Sequence, residues 1–270
     1  MTAQPATATT ADPLTFRTAG PLTFLTDTSI ITLRNVRRMA RTPQMLYFAS
    51  IQPVVFLIVF RYVFGGAIHT PGYSYANYLL PGLLVEATLF GATTAVALAT
   101  DLSGGLVDRF RSLPVARAAV LIARTLADFC RTTFVVAVVL AVGSLVGFRF
   151  NNGALAGAAA IGLVLAFAYG YSWLLAIIGL AVKDAETAQL AGTLPILIFI
   201  FASSLAVPVD TMPGWLQAFA RNQPVSVTMN AVRALTQGGP AAHWAWQSLA
   251  WTAGLIIILI PAATALYRRR

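Results

Sequence analysis

Charge is scarce in this chain, and reactive side chains are scarcer. Of its 270 residues only 10% are charged, against about 25% in a soluble domain. There is one cysteine, Cys130, one lysine, Lys183, and two histidines, His69 and His243. A single cysteine excludes an intrachain disulfide framework, and so few Cys and His residues make no metal-ligand cluster. No Ser/His/Asp constellation or carboxylate pair stands out, so no catalysis is assigned to the chain. A G-x-x-x-x-G-K-[ST] phosphate loop is also missing. Lys183 lies in Lys-Asp-Ala-Glu with no glycine-rich run before it, so ATP hydrolysis is not expected here. Residues 1–13, rich in Thr, Ala and Pro, lack the basic and apolar regions of a signal peptide. They begin an uncleaved flexible tail, 1–27.

Apolar surface, by contrast, is abundant. Hydrophobic residues make up 58% of the chain, and mean hydropathy is +0.75. That excess cannot be hidden in one water-soluble core of this size. A bilayer core about 30 Å thick is crossed by a helix of about 20 apolar residues. Six such spans are read, at about 45–64, 78–99, 118–146, 154–182, 190–209 and 245–266. The fold class is therefore an all-α integral membrane protein.

Net charge is +9, with 18 Lys and Arg residues. These cluster in short segments between apolar runs, so they are read as topology signals and not as a nucleic-acid footprint. With the N-terminus inside, Arg17, Arg34, Arg37, Arg38, Arg41, Arg109, Arg111, Arg117, Arg124, Lys183 and Arg268 to Arg270 are cytoplasmic. Arg61, Arg149, Arg221 and Arg233 are outside, Arg131 is unassigned, and the balance is 13 to 4. Both termini are expected in the cytoplasm of a multi-pass protein, in a bacterial cytoplasmic membrane.

Three segments outside the spans carry patterns. Thr28–Thr42 reads as an amphipathic helix. Arg34, Arg37, Arg38 and Arg41 share one face, while Leu33, Val36, Met39 and Ala40 share another; such a helix lies in the headgroup region near anionic lipid. In Asp101–Pro114, Leu102, Leu106, Phe110 and Leu113 form one apolar face and Pro114 ends the helix. Residues alone leave two fates for this helix, the membrane surface or a groove in a partner protein. On the far side, Pro213 opens a short helix with Trp215, Leu216 and Phe219 on its apolar face, and Pro224 opens a second that Gly238 and Gly239 end. Neither can span, so the pair is read as a re-entrant hairpin, the alternative being two helices lying flat on the outer leaflet.

Some residues inside the spans stand out singly. Glu86 is the one acid deep within an uninterrupted span, where a charge costs about 2.5–3.5 kcal/mol. It either faces a cationic substrate or pairs with a neighbouring helix, with Arg61 the expected partner. Arg124, Asp128 and Arg131 share a face and are expected to form a pair network. Gly153 and Gly157 make a GxxxG that permits close helix contact.

Four stretches, in order, resemble the permeases of type-2 ABC exporters of the daunorubicin-resistance type. They are RYVFGGAI ending the first span, YANYLLPG entering the second, GGLVDRFRSLPVAR after it, and TMPGWLQAFARNQPVSVTMNAVRAL before the sixth. With the six-span layout the resemblance covers most of the chain from Thr28 on. The third stretch matches at Gly105, Asp108, Arg109, Phe110, Arg111, Ser112, Leu113 and Pro114; many such permeases have Glu where this chain has Asp108. The resemblance implies that Leu106, Asp108, Arg109, Phe110, Arg111, Leu113 and Pro114 belong to a coupling helix that docks on a separate ATPase subunit. It implies two ATPase copies holding ATP and Mg, no cofactor on this chain, and a second permease copy or a paralogue. Pro213, Trp215, Phe219 and Pro224 become part of an outer lid. The implied cargo is a small amphipathic or lipid-like molecule, drugs and antibiotics included. Rival readings are a polysaccharide or glycolipid exporter permease, and a proton-coupled secondary transporter using Glu86.

Overall fold

The computed structural model describes residues 21–68, 74–90, 93–104 and 117–269, and among these every regular element is helical. The elements are α1 (Pro21–Arg41), α2 (Pro43–Val59) with a π-helical turn at Phe60–Phe64, α3 (Tyr75–Leu89), α4 (Thr93–Ser103) and α5 (Arg117–Leu145). They continue with α6 (Gly153–Ala181), α7 (Ala185–Phe201), a 3₁₀ turn at Val209–Thr211, α8 (Gly214–Asn222), α9 (Pro224–Gln237) and α10 (Ala241–Arg269).

Five stretches of the described residues are long and apolar enough to cross a membrane: Leu46–Phe64, Tyr75–Ser103, Ala119–Leu145, Gly153–Ala181 and Ala241–Tyr267. The expected fifth span, 190–209, is corrected to α7, 17 residues that start five positions earlier and end at Phe201. Its start is set by Asp184, whose Oδ1 accepts from the Thr187 backbone N–H at 2.8 Å. That bond satisfies an orphan donor of the first turn and holds the Asp184 carboxyl below the usual carboxylate range. Pro195 is carried within the helix. At about 1.5 Å per residue α7 reaches only ~25 Å, and an irregular turn over 202–208 follows it.

The second span is interrupted where continuity was expected, because Phe90 leaves the helix with extended dihedrals, φ −77° and ψ 125°. The amphipathic N-terminal helix begins at Pro21, not Thr28, so residues 21–27 belong to it and not to a tail. Its three sides differ. Phe24, Thr28, Ile31, Asn35 and Met39 turn toward the protein, and the helix packs on α5. Arg34, Arg37, Arg38 and Arg41 are exposed on a second side. Leu25 and Leu33 are exposed on a third, as an interfacial helix requires.

α3 is the centre of the bundle: every residue from Tyr75 to Leu89 is buried. It packs against α9, α5, α2 and α6, while α6 and α10 form a long parallel pair beside it, Gly170 meeting Thr252 and Leu255, and Trp173 and Leu180 sharing a core with Ala263 and Tyr267. A smaller core at the opposite end joins Leu98, Leu121, Trp173, Leu180 and Tyr267. The GxxxG at Gly153 and Gly157 brings no second helix close. Nothing stands near Gly153, and a Cβ on Gly157 meets the Phe150 ring instead. The close helix approach lies elsewhere, where Gly179 of α6 faces the Ala95 backbone of α4.

Candidate functional site

The segments assigned to the far side do gather at one end of the bundle, around the irregular turn over 202–208. A buried non-helical backbone must find donors and acceptors locally, and here side chains of α3 and α9 supply them. Tyr78 Oη donates to Ser204 O at 3.1 Å and Tyr75 Oη to Ala206 O at 3.2 Å. Gln223, ahead of α9, donates from Nε2 to Phe199 O at 2.9 Å and Ala202 O at 2.7 Å, capping the end of α7. Ser226 Oγ accepts from the Ser204 N–H at 3.2 Å, and Ser204 Oγ donates to Asn230 Oδ1 at 2.9 Å. Gly82 leaves room for the turn to lie against α3: a Cβ there would sit 3.1 Å from Leu205 O.

Arg233 closes this network. Counted in the sequence as an outer-loop arginine, it is 6% exposed. Its Nε donates to Tyr78 O at 3.1 Å, Nη2 to Ser204 O at 2.8 Å and Nη1 to Asn230 Oδ1 at 2.7 Å. The guanidinium also lies 3.8 Å from the Tyr78 ring centroid, a cation–π contact. One side chain thus binds α3, the 202–208 turn and α9 together.

Beside the network a cleft of about 490 Å³ is lined by Tyr78, Ser204, Asn230, Arg233, Trp244 and the exposed pair Arg221–Asp210, 2.6 Å apart. The two helices expected as a lid flank it. α8 is peripheral, with Trp215 77% exposed, while the Phe219 ring packs at a tilt against Phe199 of α7, centroids 5.8 Å apart. α9 is buried nearly all round, against α3, α6 and α10. Pro213 and Pro224 stand at the starts of these two helices. The end of α9 is pinned to the α5–α6 turn, where the Asn151 N–H donates to Thr236 O at 2.9 Å and Gln237 Nε2 to Arg149 O at 2.9 Å.

Deeper in α3, Glu86 has no measurable exposure. The expected partner, Arg61, is not there. Glu86 Oε1 instead accepts from Gln52 Nε2 of α2 at 2.6 Å. Arg61 lies nine residues further along the same helix, about 13 Å at the helical rise, in the π-helical turn. Glu86 Oε2 has no hydrogen-bond partner among the described residues. Neither Gln52 nor Arg233 was singled out from the sequence. A signal for Arg233 existed in the stripe Gln223, Ser226, Asn230, Arg233 and Gln237, all on one helical face.

At the opposite end the charges of α4 and α5 pair. Arg124, Asp128 and Arg131 do not form one triad. Arg124 turns to Asp101 at the end of α4, 3.4 Å away, while Asp128 pairs with Arg131 at 2.8 Å and accepts from Thr93 Oγ1 at 3.0 Å. The coupling positions Leu106, Asp108, Arg109, Phe110, Arg111, Leu113 and Pro114 lie outside the described residues. The flanks are described, and the Arg124–Asp101 pair ties the end of α4 to the first turns of α5 at the base of that segment. Asp101–Ser103, expected to open the coupling helix, are the last residues of α4.

Long apolar helices, a buried broken backbone and a polar cleft at one end define a polytopic membrane protein of the transporter type. The family model for the ABC-2 type transporter matches residues 26–236, so the chain belongs to that family of membrane permeases. The chain is 33% identical over 232 residues to a daunorubicin resistance ABC transporter permease protein of Streptomyces coeruleorubidus, covering 84% of this chain and 81% of that one. It is 31% identical over 245 residues to a probable doxorubicin resistance ABC transporter permease protein of Mycobacterium tuberculosis, covering 90% and 88%. A putative transport permease of Pyropia yezoensis is 26% identical over 215 residues, covering 75% and 71%.

Proposed function

We propose that this chain is the permease subunit of an ATP-driven exporter. It moves a small amphipathic or lipid-like molecule, of the drug or antibiotic kind, out across the cytoplasmic membrane of a bacterium. The observation that carries this reading is the family match from α1 into α9, joined to relatives whose names are those of drug-resistance permeases. In this reading α7 and the 202–208 turn complete a sixth crossing, and both termini face the cytoplasm, as the arginine imbalance favours. Two permease chains, alike or paralogous, enclose the pathway, and two separate ATPase subunits hold ATP and Mg.

The mechanical link is residues 101–114. ATPase closure pushes on the helix around Leu106 to Leu113. The Arg124–Asp101 pair at the base of this segment passes the push to α4 and α5 as a unit. α4 packs against α6 and α7, and α7 runs into the turn that Arg233 fastens. The displacement therefore reaches the cleft below α8 and α9, which serve as the outer lid.

Replacing Phe110 and Arg111 together with alanine tests the link. The double variant is expected to lose the ATPase subunit during purification from membranes, with at least about a tenfold fall in its recovery, the size of effect when a central aromatic/Arg anchor is removed. Unchanged recovery with unchanged transport defeats the docking role of this segment.

A further inference from the structure

Glu86 is a buried acid whose second oxygen nothing among the described residues engages. Neither protonation state resolves this. A carboxylate leaves Oε2 bare in a low-dielectric interior, and a neutral acid places an O–H donor there with no acceptor. Gln52 fixes the group's orientation through Oε1, and Arg61 does not neutralise it. What results is an oriented, desolvated acceptor in the last turn of α3, and intramembrane acids of this kind mark pathways.

The element covering Glu86 is only lightly held by the rest of the chain. Only 17% of the Leu46–Phe64 span is buried, against 75% of Tyr75–Ser103. α2 carries Pro53 directly after Gln52 and ends in a π-helical turn, both of which interrupt the regular hydrogen-bond ladder. It can lean away from α3 at that level. Tyr78, which lines the outer cleft, lies eight residues from Glu86 on α3, about 12 Å along its axis. The carboxyl and the cleft are thus successive stations on one buried helix.

We propose that Glu86, positioned by Gln52, recognises a cationic N–H group on the cargo, a protonated amine being the simplest case. The donor set favours an ammonium over a metal ion: one carboxylate and one amide do not build the six to eight oxygens a hard cation takes, whereas an ammonium needs only acceptors for its few N–H bonds. This inference rests on the exporter reading and names Glu86 and Gln52 as the pair that reads the cargo's charge.

Equilibrium dye binding to the purified full-length permease tests it, using fluorescence anisotropy with cationic rhodamine 6G and an uncharged BODIPY dye. Glu86→Gln is expected to weaken rhodamine binding by at least about tenfold and to leave the uncharged dye within about twofold. Gln52→Leu, which keeps the charge and removes its orientation, is expected to weaken rhodamine alone by a smaller factor. Equal loss of both dyes in both variants, or no loss of rhodamine in Glu86→Gln, overturns the proposal. ATP-driven uptake into vesicles holding the permease and its ATPase separates the two readings. Charge-selective binding without ATP-driven uptake leaves the Glu86 site standing and removes the exporter reading. ATP-driven uptake of rhodamine that Glu86→Gln does not change removes the site alone.

Discussion

Arg233→Met should strip the outer end of the bundle of its main fastening, with a stability loss of roughly 3–5 kcal/mol, the range for removing one partner of a buried charged contact. The guanidinium serves two main-chain carbonyls and the Asn230 side chain. Methionine fills similar volume but leaves Tyr78 O and Ser204 O without this donor in a dry interior, where each such loss costs about 1–3 kcal/mol. The cation–π contact with Tyr78 goes as well. At about 2–4 °C per kcal/mol for a chain of this order, the midpoint for loss of monodisperse protein in detergent should fall by at least about 6 °C. Arg233→Lys should fall between wild type and methionine, because one ammonium cannot reach all three acceptors at once. A shift under about 2 °C for Arg233→Met would mean that the network is held by Tyr75, Gln223 and Ser226 without it.

Gly179→Val should be nearly as damaging, for a steric reason. A Cβ at Gly179 falls 2.8 Å from Ala95 Cα and 3.0 Å from Ala95 C. The obstruction is backbone, so no rotamer change relieves it and α4 must be driven off α6. Overpacking of this kind costs about 1–3 kcal/mol and occasionally more; valine, with two further methyl groups, is expected at or above the top of that range and alanine within it. Gly162→Ala is the control, since nothing stands within 4 Å of a Cβ there and a helix-interior Gly→Ala change is favourable by about 0.5–1 kcal/mol. Because α4 leads into the segment proposed to meet the ATPase, Gly179→Val should also lower ATP-driven export more than its stability loss explains. The comparison is made at a temperature where both variants remain folded.

The helices were legible in the sequence where length and punctuation agreed. Uninterrupted apolar runs gave α5, α6 and α10 nearly to their ends, and Pro213, Pro224 and Gly238 marked the helices between the last two spans. Reading failed where burial reversed the meaning of polarity. The stripe from Gln223 to Gln237 looks like a solvated face, yet in a helix buried nearly all round it turns toward other protein. Arg233 was therefore counted as a topology charge when it is a structural one. Glu86 was recognised as costly, but its partner was sought among the charges, and Gln52, a neutral residue inside a span, gave no periodic signal. The two glycines of a GxxxG drew attention by their spacing, while Gly179 was passed over because close approach depends on which helix lies opposite.

Reconstituting the purified permease into liposomes, alone and together with its ATPase, puts the division of labour between the two subunits to the test. Dye accumulation should require both proteins and ATP, and should be lost with the paired Phe110 and Arg111 replacements. Accumulation by the permease alone, or accumulation driven by a proton gradient in the absence of nucleotide, would contradict the proposal that a separate ATPase powers this chain.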